Sequence, residues 1–324
     1  MRLEYQILAA AVLDLLLGDP RWLPHPVRGM GWLAQRTEPL TRRFCRFPRL
    51  AGIVTVLLVV GTTGLVAWVL LRLAGYVHPL AADLLAVLFI YTTIAARDLA
   101  RHSMTVFRAL AGGDLAESRR CVAMIVGRDT QDLDERGVTR AAVESVAESI
   151  VDGVTAPLFF AVLFGPVGAL VYRAINTLDS TFGYKNELYL EFGWASARLD
   201  DAATFIPARL TAPVICLAAV LLREHGIGSF RILRRDARNH SSPNSGFAEA
   251  AVAGALGVQL GGLNHYFGQP CPKPTLGDPV EVLNRRHIPR ANALMFTAAG
   301  LFLGLCLLGR LLVVHWLRKE GICP

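Results

Sequence analysis

Charge is scarce in this 324-residue chain: 18% of residues are charged, against 53% hydrophobic and a mean hydropathy of +0.42. Soluble domains carry about 25% charge, so a soluble class is excluded. The six cysteines, Cys45, Cys121, Cys216, Cys271, Cys306 and Cys323, are scattered and form no C-x-x-C pair. That argues against a cysteine-based metal or disulfide framework. Cys121, Cys216 and Cys306 fall in apolar or helical contexts, where a free thiol packs as a small hydrophobe. There is no Walker A loop, no GxGxxG fingerprint, no RNA- or DNA-binding motif and no basic tail. The formal charge of +7 is spread over loops between apolar runs, and so concerns orientation and anionic ligands rather than nucleic acid. The N-terminal stretch MRLEYQILAAAVLDLLLGDP lacks a basic n-region beyond Arg2 and a small-residue cleavage site; it reads as a retained first helix.

What the chain does have is long apolar runs, several reaching the roughly 20 residues that cross a bilayer. The pattern predicts an all-α polytopic membrane protein with about five to six transmembrane or re-entrant helices, amphipathic helices and long polar loops, organised as a single integral-membrane domain over 1–324. Residues 3–17 form a short apolar helix ended by Gly18-Asp19-Pro20. The loop up to residue 49 carries seven arginines and no lysine, an excess that marks the cytoplasmic side. Spans are expected at 50–71, 80–96, 205–222 and 291–316. Residues 154–171 are apolar but interrupted by Gly165-Pro166, so a crossing span and a broken or re-entrant helix both fit. Residues 97–126 read as two amphipathic helices separated at Gly112-Gly113-Asp114, with Asp114 as N-cap of the second. The Gly/Ala-rich helix around 250–262 is able to pack closely, on a neighbour or on another subunit. Residues 264–289, rich in proline, read as irregular.

The polar residues concentrate in four blocks: GDPRWLPHPVR (18–28), RDLARHS with GRDT (97–103, 127–130), ESVAES and Asp152 with NTLDS and GYKN (144–152, 176–186), and ARLDD with RRDARNHSSPNSG (197–201, 234–246). Glu144, Glu148 and Asp152 repeat every four residues and share one helix face as the chain approaches the bilayer. Carboxylates at a membrane boundary are costly unless they bind something. The blocks together offer acids for Mg²⁺, arginines and a lysine for phosphate oxygens, and histidines for proton transfer. Each also has a plainer reading. The three acids can be the wet face of an interfacial helix, Asp19 and His25 turn chemistry beside proline, and Arg101 and His102 headgroup contacts. Asp200 and Asp201 can cap a helix near 204, and Asn244-Ser245-Gly246 can start one.

At these same blocks the sequence resembles the cobalamin-biosynthesis family called CbiB or CobD, the adenosylcobinamide-phosphate synthases. The stretches LDLLLGDPRWLPHPVRGMG, VTRAAVESVAES, NTLDS with GYKN, FGWASARLDD and RRDARNHSSPNSG match in order from about residue 10 to 265. Ser149 and Thr204 stand where that family commonly has asparagine.

The resemblance implies a multi-pass enzyme of the bacterial cytoplasmic (inner) membrane. It would use ATP and Mg²⁺ to join adenosylcobyric acid to (R)-1-amino-2-propanol or its O-phosphate. Membrane lipids and later cobalamin-assembly enzymes are the further partners implied. Carried over to this chain, Glu144, Glu148, Asp152 and Asp179 would hold Mg²⁺, with Glu144 and Glu148 also catalytic. Arg101, Arg128 and Lys185 would hold phosphates, His102 or His240 would move a proton, and Asn176, Asn186, Asn244 and Ser245 would orient substrate. The alternative is a non-enzymatic corrinoid carrier or AmpE-like sensor. A transporter should place its ionisable groups at mid-bilayer between internal repeats; here they lie in loops and at span ends.

Overall fold

The computed structural model describes residues 1–20, 22–184 and 186–320. Its helices are α1 (Leu3–Leu17), α2 (Pro26–Phe44), α3 (Pro48–Val77), α4 (Pro79–Tyr91), α5 (Ala96–Ala111), α6 (Leu115–Ala123) and α7 (Glu135–Ile150). A π turn, Val151–Thr155, joins α7 to α8 (Ala156–Phe182). There follow α9 (Trp194–Leu221), α10 (Gly226–Asp236), α11 (Ser245–Leu256), strands β1 (Leu260–Tyr266) and β2 (Gln269–Leu276), and α12 (His287–Lys319). The protein is 74% helical. Among the described residues, five stretches are long and apolar enough to cross a membrane: Pro48–Val77, Pro79–Ala111, Glu135–Phe182, Trp194–Leu221 and His287–Leu317. The predicted polytopic all-α architecture is borne out.

Local chemistry explains most boundaries. Proline opens α2, α3 and α4, where its missing N–H is not needed. The Asp114 side chain accepts from the Glu117 N–H at 2.8 Å, as predicted, and Asp134 likewise accepts from Gly137 N–H at 2.6 Å to start α7. Gly18 ends α1 at φ +63. Inside α8, Gly165 sits at φ +67 and ψ −161 immediately before Pro166, so the helix is broken where the sequence shows the interruption.

Three readings need correction. The stretch after residue 18 is not all loop. It contains α2, whose buried residues Met30, Ala34, Thr37 and Thr41 follow helical spacing; two of the four are threonines, which hydropathy hides. Asp200 and Asp201 lie inside α9, which begins at Trp194, so they do not cap a helix near 204. The stretch after 264 is not irregular throughout: β1 and β2 form an antiparallel hairpin, with Leu263 opposite Pro272 and Tyr266 opposite Gln269. The turn residues Phe267 and Gly268 both have positive φ, +53° and +76°, as a two-residue type I′ turn requires. Tyr266 and Gln269 are then the hydrogen-bonded closing pair. Pro270 and Pro272 fall at non-bonded positions, where a strand tolerates them.

The chain forms two compact units. The first comprises Met1–Ala95, Ala156–Thr204 and the chain from Leu305 onward; the second comprises Ala96–Thr155 and Phe205–Gly304. In the first, Ala34, Ala51, Val56, Val59, Leu178, Phe182 and Phe192 form one apolar cluster, with Phe182 and Phe192 edge-to-face at 5.1 Å. In the second, α11 packs on α10, and Ser229 Oγ donates to Ala251 O at 2.7 Å across that contact. Ala250 through Ala253 and Ala255 are fully buried, so the small-residue helix is spent on packing within its own unit rather than on a subunit contact.

Candidate functional site

The second unit encloses a cavity of about 120 Å³ walled by α7, the 125–128 loop, α11, the His240 loop and the hairpin. Glu144, Glu148, Glu249, Arg128, His240, Tyr266 and Lys273 line it. Drug-sized ligands occupy pockets of roughly 300–1,000 Å³. This one takes a phosphoryl group, a carboxylate or an amine head, and nothing bulkier.

Glu144 leaves α7 into the unit's interior. One carboxylate oxygen accepts from Arg128 Nη2 and the other from the Gly261 N–H at 2.7 Å. The pair is buried, with side chains 6% and 11% exposed. Arg128 also donates to Asn264 Oδ1, and Arg140 donates to Gly261 O at 2.6 Å, Leu263 O at 2.9 Å and Asn264 Oδ1 at 3.1 Å. Gly261 makes this close approach possible: it lies at φ +81, and a Cβ there would sit 2.2 Å from Pro274 O. Two arginines and a glutamate thus clamp the root of the hairpin. Glu148, one turn on from Glu144, is solvent-exposed, and its Oε1 accepts from Ser245 Oγ at 3.3 Å. The wet-face reading therefore fits Glu148 and fails for Glu144.

Deeper in the wall, His240 Nε2 lies 3.6 Å from Glu249 Oε1, both side chains under one-tenth exposed. The Ser242 N–H donates to His240 Nδ1 at 3.0 Å, so the neutral ring carries its proton on Nε2, facing the acid. Burial, and after it the Lys273 ammonium, pushes the His240 pKa down. Burial, then the charges of Glu148 and Glu144, raises that of Glu249 well above the ordinary carboxylate value. Both shifts run toward a neutral imidazole facing a protonated carboxyl. Burial works against the Lys273 charge, but Tyr266 and the Glu148 carboxylate favour it, and the balance raises its pKa. Lys273 is therefore a stable cation at the wall.

Folding raises the Glu249 pKa above the ordinary 4.5, so its contribution to stability falls as pH rises above 4.5. Glu249→Gln keeps the shape and neutrality. Its thermal midpoint in detergent should match that of the unsubstituted protein near pH 4.5 and exceed it increasingly toward pH 8. A constant offset across that range would contradict a protonated Glu249.

The family model described as CobD/Cbib protein matches residues 7–295. A cobalamin biosynthesis protein CobD of Geobacter metallireducens is 55% identical over 278 residues, covering 86% of this chain and 87% of that one. One of the same name from Klebsiella pneumoniae is 49% identical over 299 residues, 91% and 94% of the two chains. A cobalamin biosynthesis protein CbiB of Salmonella choleraesuis is 47% identical over 304 residues, 93% and 95%. The chain belongs to the CobD/CbiB family. The resemblance read from the motifs is borne out and extends beyond 265, and membership supports a role in cobalamin biosynthesis. No solved structure matches this chain.

In this CobD/CbiB protein, the residues singled out from sequence divide between the units. Arg128, Glu144, Glu148 and His240 meet at the cavity, and Ser245 joins them through Glu148. Asn244 is buried beside them in sequence, its Oδ1 accepting from Arg209 Nη1 at 3.1 Å. Arg101 and His102 are in the same unit but on α5, both paired with Asp98, at 2.5 and 3.3 Å; they do not line the cavity. Asp152 sits in the π turn, which breaks the four-residue repeat after Glu148. Asn176, Asp179 and Asn186 belong to the first unit. There Asn176 Nδ2 donates to Asp200 Oδ1 at 3.4 Å, and Asn186 Oδ1 caps Tyr189 N–H at 3.0 Å. Lys185 lies outside the described residues.

Of the acids proposed for Mg²⁺, Glu144, Glu148 and Asp152 lie in the second unit and Asp179 in the first. Both Glu144 oxygens are already taken by donors, and among the described residues no group of three or more His, Cys, Asp or Glu side chains is placed to hold a metal ion.

Sequence reasoning missed Glu249, Lys273 and Tyr266. Glu249 carried a signal, since a single acid inside FAEAAVAGAL is costly without a use. Lys273 carried another: with Lys185 and Lys319 it makes up all the lysine of a chain with 33 basic residues.

Proposed function

We propose that this protein is the ATP-dependent ligase that joins the free propionate of adenosylcobyric acid to (R)-1-amino-2-propanol or its O-phosphate, in the bacterial cytoplasmic membrane. The observation that supports this reading best is the small cavity in the second unit of a CobD/CbiB-family chain, pairing a stable ammonium with one exposed carboxylate and one protonated carboxyl. A carboxylate is a poor electrophile until phosphorylated. Its oxygen takes the terminal phosphoryl group of ATP and ADP leaves; amine nitrogen then attacks the acyl carbon, the C–O bond to phosphate breaks, and phosphate departs. Lys273 offers donors to the phosphoryl oxygens, and the Glu249 carboxyl can donate one more hydrogen bond. Glu148, at the exposed side, accepts the proton released by the attacking amine. His240 orients Glu249 rather than acting as the base, because its two nitrogens already face Ser242 N–H and the acid. Mg²⁺ is proposed as the companion ion of ATP rather than as a resident ion, since both Glu144 oxygens already accept from donors of the chain.

Detergent-solubilised protein given adenosylcobyric acid, ATP, Mg²⁺ and each amine in turn should yield the amide, with one ADP per product, read by mass spectrometry and nucleotide chromatography. Corrinoid binding without ATP-dependent product from folded protein would instead support the carrier or sensor reading.

A further inference from the structure

The tip of the hairpin is built at a disadvantage. Phe267 occupies the first central position of its type I′ turn at φ +53, a conformation that glycine or asparagine adopts far more readily than a bulky aromatic. Its ring is also 77% exposed, so no contact within the protein repays the placement. The turn is nevertheless held firmly. Asp129 Oδ2 accepts from Gly268 N–H at 2.8 Å, Asp129 N–H donates to His265 O at 2.9 Å, and the hairpin root is clamped by Arg128, Arg140 and Glu144. A strained, exposed aromatic on a rigid support is a contact residue waiting for something outside the chain.

The cavity indicates what that is. Tyr266, the neighbour of Phe267, and Lys273 on the paired strand both line it, so the hairpin is its lip. A space of about 120 Å³ admits only the reacting end of a large substrate, and the remainder must lie outside against that lip. We propose that the corrin macrocycle docks with an apolar face against Phe267 while one of its propionates reaches past Tyr266 toward Lys273. This rests on the ligase reading above and adds the surface that holds the bulk of its corrinoid substrate.

The test uses Phe267→Gly, which relieves the turn and so should fold at least as well, and Phe267→Tyr, which keeps the ring. Adenosylcobyric acid binding is measured by equilibrium dialysis with absorbance detection, without ATP or amine. The glycine variant should bind about tenfold or more weakly, the usual scale for losing one buried aromatic anchor. The tyrosine variant should bind as the unsubstituted protein does, and the KM for the amine should be unchanged in both. Equal corrinoid affinity in Phe267→Gly overturns the docking, as does a loss of association with phosphatidylglycerol vesicles at unchanged corrinoid affinity, which assigns the ring to the lipid surface. Phe267-dependent binding in a protein that forms no amide overturns the ligase reading and leaves the docking standing.

Discussion

Glu144→Ala is expected to lower stability by about 3–5 kcal/mol, the scale on which a buried charge suffers when its partner is removed. The Arg128 guanidinium, 6% exposed, would lose its carboxylate, and the Gly261 N–H would lose its acceptor. The hairpin root would loosen with them, so activity should be lost together with thermal stability. This separates two roles for the residue. If Glu144 serves mainly as a metal ligand, the alanine variant should be as stable as the unsubstituted protein when Mg²⁺ is absent. If it serves as the clamp, the loss appears with or without Mg²⁺, and Arg128→Ala combined with Glu144→Ala should recover part of it in a double-mutant cycle. Unfolding midpoints in detergent with EDTA decide between them. An unchanged midpoint with normal turnover would remove Glu144 from the site altogether.

Lys273→Met should have the opposite profile. The surroundings of Lys273 favour its charge on balance despite burial, so methionine of similar length, which keeps the stem packed, should lower the thermal midpoint only slightly. Turnover should fall by about 10²–10³, the range seen when one preorganised donor to a developing anion is removed. Lys273→Arg should restore little, because a planar fork does not fit where a compact ammonium sits. The measurement is kcat/KM for amide formation beside the melting curve. A change under tenfold at full stability would show that the phosphoryl oxygens are held elsewhere.

Much of the architecture was legible in the chain. Apolar runs marked the spans, Asp114 marked a helix start, and Gly165-Pro166 marked a break, because each acts through local chemistry. Glu144 and Glu148 were legible as a pair because four-residue spacing places them on adjacent turns. Their different fates were not, since these depend on what arrives from over 100 positions away: Gly261 at Glu144, Ser245 almost as distant at Glu148. Lys273 was hidden by its setting, because a strand with proline at alternate positions and a turn built on Phe-Gly resemble none of the usual hairpin signals. Helix α2 was hidden because half of its buried stripe is threonine. The π turn after Ile150 is invisible to any fixed helical period, and it takes in Asp152 while Glu144 and Glu148 stay on α7.

The prolines of β2 have a consequence for assembly. An unprotected strand edge offers unpaired N–H groups to any passing strand, and a two-stranded sheet with an apolar tip is the kind of element that recruits others. Pro270 and Pro272 place tertiary amides at the outward-facing positions of that edge, and Pro274 follows at the same spacing. With those donors missing, the edge cannot template a third strand, from another copy or from a nascent chain. The hairpin can present an aromatic at its tip and still resist aggregation.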